Sequence, residues 1–354
     1  MDPRYSRQLA LPGFGEQAQS ALAAARVLVI GAGGLGSTII PALAGAGVGT
    51  IGIIDDDRVE LSNLHRQHIH STADVGRTKT QSAADSVAAL NPGTRVIPIE
   101  QRFTAETAEA LAAEYDLLVD GSDNFPTRYL ANDVAALTDI PLVWGSVSQY
   151  GGQAGVSWDS HGPSYRDLFP APPPPGSVLS CEVGGVLPTV VATIGSIMAT
   201  EALKLLTGIG RPLLGRVTVV DALTGTFREI GYERDPQREP ITGLIDYDLF
   251  CGVTATLSPA EVQQKLSTVT LLDVREPWEA EIASIEGSIL VPLGSLEGQL
   301  TQLDREKPIV AYCHHGVRSE SARALLQRNG FTVSHLAGGI DAWARDIDTT
   351  MARY

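Results

Sequence analysis

The stretch VLVIGAGGLGSTIIPALAGAGVGTIGIIDDDRVELSNLHRQ, residues 27–67, determines the fold of the first half of the chain. It opens as an apolar strand and turns through closely spaced glycines from Gly31 to Gly36. A helical pattern follows, with Leu35 and Ile39 on one face, and a second strand then ends in three aspartates. Glycines at such a turn let the backbone approach a phosphate, which the N-terminus of the next helix stabilises. The stretch therefore predicts a nucleotide-binding strand-helix-strand unit.

Polar side chains next to this turn indicate which nucleotide it binds. Asp55 stands at the tip of the second strand, where its carboxylate can accept hydrogen bonds from a ribose. Asn63, Arg66 and Lys79 add an amide and two cations. A dinucleotide has no extra negative charge for these two cations to neutralise. A triphosphate does carry that charge. The pattern therefore favours ATP over a nicotinamide dinucleotide.

Length, charge and cysteine content limit the possible classes of protein. The chain has 354 residues, which predicts two domains. Its formal net charge of -15 disfavours nucleic acids and anionic membranes as partners, because both are polyanions. Three scattered cysteines indicate reduced thiols, and the first residues lack the apolar run of a signal peptide, so we expect a cytoplasmic protein. The uncharged segment 183–200 contains Pro188 and several glycines, which favours a buried helix over a membrane span.

The order of apolar runs predicts an α/β fold with a doubly wound, Rossmann-like, mostly parallel sheet. Strand-like runs begin near positions 27, 51, 117 and 141, and helical patterns lie between them. Later segments around 153 and 217 have more β-turn character and predict an antiparallel extension of the sheet. Ligands of such sheets lie at the carboxyl ends of the strands, so Asp55 and residues 120–124 should meet in one crevice.

Two irregular segments divide the chain. Residues 161–181 contain six prolines, which disfavour a regular helix or central strand and predict a surface crossover loop that ends at Cys181. Residues 233–255 are polar and predict a linker. We therefore expect an ATP-binding domain at residues 1–232 and a smaller α/β domain at residues 256–354.

The sequence CHHGVRS, residues 313–319, is the sharpest local motif of the second half. A strand ends at Cys313, a short loop leads to Arg318, and a helix is predicted from Ser319. Backbone N–H groups of such a loop, the helix dipole and Arg318 favour a thiolate or persulfide anion on the cysteine. A buried structural cysteine is the alternative reading.

This loop resembles the active-site loop of the rhodanese family. TLLDVREPWE and HLAGGIDAW fit the pattern of that family on either side of it. The resemblance implies a rhodanese domain in which Cys313 and Arg318 are catalytic and Cys313 carries sulfur. The related tyrosine-phosphatase loop has one more residue between cysteine and arginine, so the shorter loop favours sulfur over the larger phosphate.

The first half resembles the ThiF/MoeB family, relatives of the ubiquitin-activating enzymes. The motifs RYSRQ, GAGGLG, DDDRVELSNLHRQ, the segment around Lys79 and DGSDNFPTR occur in the order of that family, across residues 4–232. The resemblance implies a magnesium ion held by Asp123 and cations that neutralise the leaving pyrophosphate. It implies contacts to ATP from Gly34, Asp55, Ser62, Asn63, Leu64, His65, Arg66, Lys79, Asp123 and Asn124.

Several residues keep two readings at this stage. By the resemblance, Arg7 reaches the phosphates of the neighbouring subunit in a homodimer, but a solvated surface arginine is the alternative. Ser62 fits a helix N-cap as well as a ligand. Cys181 falls where family members that form a carrier thioester keep their cysteine, with a structural thiol as the alternative. Cys251 has no histidine or cation close by in sequence and is read as structural.

Many members of this family hold a structural zinc ion through two Cys-x-x-Cys pairs. Here the first pair is replaced by residues 164–167, SYRD, and no cysteine pair follows Tyr232. Such a site needs four thiolates, so we expect no zinc. His65, His68 and His70 lack a matching cluster of partners and are not expected to bind a metal.

The two resemblances together imply an adenylyltransferase fused to a sulfurtransferase. The substrate would be a ubiquitin-like sulfur-carrier protein, adenylated with ATP and Mg²⁺ on its C-terminal glycine, after Gly-Gly, and then converted to a thiocarboxylate by a persulfide on Cys313. The sulfur would come from a cysteine desulfurase or thiosulfate, and molybdenum cofactor biosynthesis is one pathway that uses such a product. Two alternatives stay open, namely a rhodanese domain that only docks a partner and an NAD-dependent oxidoreductase with a rhodanese tail.

Overall fold

A computed structural model describes residues 2–173, 184–251, 256–305 and 307–354. The chain forms two compact units. The first runs to Pro172 and resumes after the undescribed residues up to Tyr247, and the second extends from Asp248 to Tyr354. The domain limits given above stay a prediction.

The first unit contains one eight-stranded sheet in the order β3-β2-β1-β4-β5-β6-β7-β8. Strands β1 to β5 are parallel, and β6 to β8 continue the sheet as antiparallel neighbours. This confirms the mostly parallel sheet with an antiparallel extension. The strands are β1 Arg26–Ile30, β2 Thr50–Ile54, β3 Arg95–Ile99, β4 Leu117–Asp120, β5 Leu142–Ser148, β6 Gly151–Ser157, β7 Arg216–Asp221 and β8 Thr226–Gly231.

Helices cover both faces of this sheet, as a doubly wound fold requires. Short 3-10 helices occupy Pro3–Tyr5, Leu61–Asn63 and Thr72–Asp74. The α-helices of this unit are α1 Ser6–Leu9, α2 Gly15–Ala24, α3 Gly34–Ala46, α4 Lys79–Leu90, α5 Ala108–Ala112, α6 Phe125–Thr138, α7 Tyr165–Leu168 and α8 Pro188–Thr207. A short helix, α9 Tyr247–Phe250, spans the limit between the two units in the sequence.

The sequence pattern missed β3 and α7. Strand β3 is an edge strand whose residues are only half-buried or exposed, and Pro98 interrupts its apolar run, so no clear alternation marks it. Helix α7 lies inside the proline-rich segment for which no regular helix was predicted. That prediction was wrong there because the four residues of α7 contain no proline, and the Asp167 carboxylate accepts a hydrogen bond from the Ser164 N–H at 2.6 Å.

Helix α8 is long and apolar enough to cross a membrane by length and composition alone. Its apolar face is instead part of the core, because Val191, Ile194 and Met198 are at most 2% exposed and pack against α3 and the central strands. At Gly195 a Cβ atom would come within 2.7 Å of the Thr38 Cβ, so α8 and α3 are in close contact. Helix α8 is therefore a core helix of the first unit.

The second unit contains a parallel sheet in the order β11-β10-β12-β13-β9. This confirms the smaller α/β domain. Its strands are β9 Thr256–Leu257, β10 Thr270–Asp273, β11 Ile289–Leu290, β12 Ile309–Tyr312 and β13 Val333–Leu336. Its helices are α10 Pro259–Lys265, α11 Pro277–Ile282, α12 Val317–Arg328 and α13 Gly339–Asp346, with a 3-10 helix at Leu293–Gln302.

We expect Ile194→Ala to lower the free energy of unfolding of the first unit by about 2–5 kcal/mol, because it leaves a cavity between α8 and the sheet. Chemical denaturation followed by circular dichroism measures this change. Ser196→Ala is the matched control, since Ser196 is exposed and its hydroxyl donates to the Ala192 carbonyl of the same helix. Equal losses in the two variants would contradict the burial of α8.

Candidate functional site

The glycine turn after β1 leaves no room for side chains. Gly31 has a φ of +93°, which only glycine adopts readily. A Cβ at Gly36 would come within 2.2 Å of the Gly31 carbonyl oxygen, and one at Gly34 within 2.8 Å of the Val191 side chain. Gly33 precedes α3 without a capping side chain. The first N–H groups of α3 therefore face this turn as an anion-binding helix N-terminus.

Asp55 connects the end of β2 to this turn. Its Oδ2 accepts a hydrogen bond from the Ala32 N–H and its Oδ1 from the Asp57 N–H, both at 2.8 Å. Burial raises the pKa of Asp55, and the nearby Lys79 ammonium and these two backbone donors oppose the rise. The carboxylate is thus fixed beside the glycine turn and keeps lone pairs for another donor, such as a ribose hydroxyl.

The carboxyl ends of β1, β2 and β4 adjoin, as expected for one crevice. The Gly31 N–H donates to the Ile54 carbonyl and the Gly121 N–H to the Ile30 carbonyl, both at 2.8 Å. Asp123, on the loop after β4, is exposed, and Asn124 caps α6 by accepting a hydrogen bond from the Thr127 N–H at 3.0 Å.

Asp120 anchors the loop that carries Asp123. It is fully buried, and its carboxylate accepts hydrogen bonds from the Ser122 N–H at 2.9 Å and the Arg128 Nε at 3.3 Å. Burial raises the pKa of Asp120, and Arg128 opposes the rise. We infer that Asp120 positions this loop, while Asp123 stays accessible to a ligand.

The two predicted phosphate cations lie beside the glycine turn and have local partners. The Lys79 side chain, at the start of α4, is 8% exposed, and its Nζ lies 2.7 Å from Asp57 Oδ2. The half-buried Arg66 donates through Nη1 to the Ser62 carbonyl at 3.2 Å. These ammonium and guanidinium groups are held at the site before any polyphosphate binds.

Ser62 lies inside the 3-10 helix Leu61–Asn63, so the N-cap reading does not hold. Its hydroxyl donates to Glu60 Oε2 at 3.2 Å, and the Asn63 amide lies 3.4 Å from the Ser62 hydroxyl. The exposed His65 places Nδ1 3.1 Å from the Ser62 carbonyl, and the half-buried Leu64 ends the same 3-10 turn.

Two buried residues next to the site were missed by the sequence analysis. The His70 ring bridges the Ala32 carbonyl at 3.0 Å and the Ser82 hydroxyl at 2.8 Å, and burial lowers its pKa, so the neutral ring ties the glycine turn to α4. Gln67 is 4% exposed, and its Oε1 has no hydrogen-bond partner within the described part of the chain. Gln67 is the last residue of the stretch 27–67 and His70 lies three residues further on, but no periodic pattern marks either of them.

Three other predicted residues have different outcomes. Arg7 is exposed on α1, and its predicted contact with a neighbouring subunit stays a prediction. Cys181 lies outside the described residues. Cys251 is buried, in agreement with a structural thiol.

Cys313 lies at the end of β12 and is 1% exposed. The Gly316 N–H donates to its Sγ at 3.1 Å, and Gly316 has a φ of +104° that lets the loop turn back over the sulfur. A Cβ at Gly339 would come within 2.4 Å of the Cys313 carbonyl oxygen, so the segment before α13 lies directly behind the loop. Because Gly316 is the N-cap, α12 begins at Val317 rather than Ser319, which places Arg318 in its first turn.

Arg318 is paired with Glu279 of α11, which the sequence analysis did not single out. Its Nη1 and Nη2 donate to the two carboxylate oxygens at 2.5 and 2.6 Å. These hydrogen bonds lower the pKa of Glu279 to about 2, so the carboxylate stays ionised at neutral pH. Glu279 therefore orients the guanidinium of Arg318 next to residues 313–316, which we call the sulfur loop. The signal in the sequence was its place in TLLDVREPWE.

These two sites define an enzyme that joins a nucleotide-binding unit to a unit with a reactive-cysteine loop. The chain belongs to the ThiF family, whose model matches residues 5–240, and a rhodanese-like domain matches residues 258–346. The enzyme is an adenylyltransferase and a sulfurtransferase.

Two relatives carry one or both of these activities in their names. A probable adenylyltransferase/sulfurtransferase MoeZ of Mycobacterium tuberculosis is 49% identical over 99% of this chain and 95% of its own length. A sulfur carrier protein adenylyltransferase of Thermus thermophilus is 48% identical over 71% of this chain and 96% of its own length. The crystal structure of Escherichia coli MccB matches with a TM-score of 0.61 over 68% of this chain and 74% of MccB, at 21% identity, and so supports the fold.

An ion-pair cluster joins residues 164–167, which the sequence analysis placed at the first zinc-binding pair, to a segment that follows Tyr232. The buried Asp167 accepts hydrogen bonds from the Arg238 Nε at 2.7 Å and from the Asp235 N–H at 3.1 Å. Arg238 also donates to Asp159 at 2.5 Å. A carboxylate and a guanidinium therefore connect residues 164–167 to residues 235–238, and these groups do not provide the thiolates of a structural zinc site.

We expect Asp167→Asn to destabilise the first unit by about 3 kcal/mol, because it leaves the Arg238 guanidinium without its buried counter-charge. Differential scanning calorimetry measures the change.

The wild-type protein should contain no stoichiometric zinc by elemental analysis, and a chelator should leave its melting temperature unchanged. Bound zinc that stabilises the wild-type protein would contradict this interpretation.

Proposed function

We propose that this enzyme activates a ubiquitin-like sulfur-carrier protein that ends in Gly-Gly, with ATP and Mg²⁺, and converts its C-terminal carboxylate to a thiocarboxylate. The observation that carries the proposal is the grouping of Asp55, Asp123 and two cations around one glycine turn, in a chain that also carries the Cys313 loop. The name of the Thermus thermophilus relative supports a sulfur carrier as the substrate.

In the first step, one carboxylate oxygen of the carrier attacks the α-phosphorus of ATP and pyrophosphate leaves, giving an acyl-adenylate. Asp55 binds the ribose, and the N–H groups of α3 face the phosphates. When ATP binds, Lys79 leaves Asp57 and pairs with a phosphate oxygen. Arg66 leaves the Ser62 carbonyl and pairs with a phosphate oxygen as well. These cations stabilise the charge that develops on the leaving pyrophosphate.

The resemblance gives Asp123 the role of a magnesium ligand. Its carboxylate is exposed on the loop after β4, and oxygen donors of this kind suit Mg²⁺. A bound Mg²⁺ neutralises phosphate charge during nucleotidyl transfer. Asn124, which caps α6, holds the start of the helix behind Asp123.

In the second step, a persulfide on Cys313 attacks the carbonyl carbon of the acyl-adenylate and AMP leaves. The product is an acyl-disulfide between the carrier and Cys313. A thiolate of Cys181 then attacks the Cys313 sulfur of that disulfide, which releases the carrier thiocarboxylate and leaves a Cys181–Cys313 disulfide for a cellular thiol to reduce. In the alternative order, Cys181 takes the acyl group first as a thioester. Cys181 lies outside the described residues.

The remaining parts of the proposal concern the setting of the enzyme. We place it in the cytoplasm as a homodimer in which Arg7 reaches the neighbouring ATP site. The persulfide sulfur comes from a cysteine desulfurase or thiosulfate, and molybdenum cofactor biosynthesis is the pathway we would test first.

We expect the protein to exchange pyrophosphate into ATP only when a Gly-Gly carrier is present. Lys79→Met and Asp123→Asn should each lower this exchange at least about a hundredfold, because each removes a charge that acts on the phosphates. Arg102→Gln is the control, since Arg102 is an exposed cation whose nearest carboxylate, on Asp56, is 4.0 Å away. Exchange without any carrier, or NAD binding in place of ATP binding, would overturn the adenylation step.

We expect Cys313→Ala to leave pyrophosphate exchange within about twofold of the wild type, because the two units carry separate steps, and to abolish thiocarboxylate formation. Mass spectrometry of the carrier after incubation with ATP, Mg²⁺ and thiosulfate measures the replacement of one oxygen by one sulfur. Unchanged thiocarboxylate formation in this variant would instead support a rhodanese domain that only docks a partner.

A further inference from the structure

Tyr354 lies against the sulfur loop of the second unit. Its hydroxyl is 2.7 Å from Arg275 Nη1 and 3.2 Å from Glu279 Oε1. Its ring stacks on His314, the residue after Cys313, with the ring centroids 4.2 Å apart and an interplanar angle of 15°. The tyrosine therefore touches both the counter-ion of Arg318 and the sulfur loop itself.

The direction of these hydrogen bonds follows from the chemistry of the groups. An arginine guanidinium only donates and an ionised carboxylate only accepts, so the Tyr354 hydroxyl accepts from Arg275 and donates to Glu279. Partial burial raises the pKa of Tyr354, which keeps this proton on the hydroxyl. Arg275 is itself fixed, because its Nε donates to Asp273 at 2.9 Å and both side chains are at most 1% exposed. The hydroxyl therefore links one rigid buried ion pair to the Glu279–Arg318 pair.

Within the part of the chain that the structure describes, the Glu279 carboxylate accepts four hydrogen bonds, and Tyr354 donates one of them. Oε1 accepts from Arg318 and Tyr354, and Oε2 accepts from Arg318 and the Glu276 N–H at 3.0 Å. Removing the tyrosine donor leaves more negative charge on Oε1 and leaves Arg318 as the one partner of Oε1 among the described residues. Both effects reduce the positive potential that an anion meets near Cys313.

A second ion pair holds this part of the chain to the segment behind the loop. Arg353 donates through Nε and Nη2 to the two Asp341 oxygens at 2.9 and 3.2 Å. The Asp341 N–H in turn donates to the His314 carbonyl at 3.1 Å. The position of Tyr354 is therefore coupled to the backbone of the sulfur loop.

We propose that Tyr354 is a positioning residue of the sulfurtransferase site, which acts through Glu279 to present the Arg318 guanidinium to anionic sulfur donors. This inference rests on the proposed role of Cys313 as the sulfur carrier. With thiosulfate as donor, the Cys313 thiolate bonds to the outer sulfur, the S–S bond of thiosulfate breaks, and sulfite leaves with the electron pair. The guanidinium offsets the repulsion between these two anions.

The test compares an anionic and a neutral reagent at the same cysteine. Alkylation of Cys313 by iodoacetate and by iodoacetamide, followed by mass spectrometry of its peptide, gives a rate ratio that reports the local charge. Tyr354→Phe keeps the ring and removes the hydroxyl, and it should lower this ratio by roughly three- to tenfold, the factor that corresponds to the net contribution of one ordinary hydrogen bond. The KM for thiosulfate should rise by a similar factor, with kcat for thiosulfate-to-cyanide sulfur transfer within about twofold.

Thr350→Ala is the matched control, because it removes a hydroxyl from the same part of the chain. That hydroxyl donates to the Asp348 carboxylate and not to Glu279. Its rate ratio should equal that of the wild type. If Tyr354→Phe leaves the ratio unchanged, or changes both alkylation rates equally, the positioning role is overturned while the proposed function stands. If wild-type Cys313 accepts no sulfur from thiosulfate or a desulfurase, the proposed function fails instead.

Discussion

The nucleotide site depends on the hydrogen bonds that the Asp55 carboxylate accepts. The bond from Ala32 joins the tip of β2 to the backbone of the glycine turn after β1, and that turn determines where α3 begins. Steric contact reinforces this arrangement, since neither Gly34 nor Gly36 has room for a Cβ. His70 holds the same turn from the side of α4. The phosphate-facing backbone is thus prearranged, and its helix N-terminus needs little reorganisation to stabilise developing charge.

Each site holds one of its cations by pairing it with a carboxylate. Lys79 forms an ion pair with Asp57, and Arg318 forms one with Glu279. The protein as a whole has a formal net charge of -15. An unpaired cation near the surface would sample many rotamers, whereas a paired one is held in a defined direction at the cost of part of its charge. The difference between the sites is in the strength of the pairing. Glu279 accepts two hydrogen bonds from Arg318, whereas Asp57 accepts one from Lys79.

The sequence predicted the sheet and the motifs next to it, because apolar runs and glycine turns are local signals. It predicted Asp55 and Cys313 at strand ends for the same reason, and the structure places both there. Side chains that act through a second residue were missed. Gln67, His70 and Glu279 stand in or beside the motifs themselves. The partners of the latter two, Ala32 for His70 and Arg318 for Glu279, are distant in sequence, so no local periodicity marks these contacts. The edge strand β3 was missed because half-burial removes the alternation on which the prediction relies.

The ion pair between Asp167 and Arg238 has a consequence for chemical compatibility. A thiolate attacks the sulfur of a disulfide or a persulfide, and a thiolate that holds a metal ion can be lost to the same reaction. A thiolate cluster in a sulfurtransferase is therefore open to such exchange. A guanidinium and a carboxylate are inert towards reactive sulfur. Residues 164–167 are therefore joined to residues 235–238 by groups that do not react with the sulfur that the enzyme transfers.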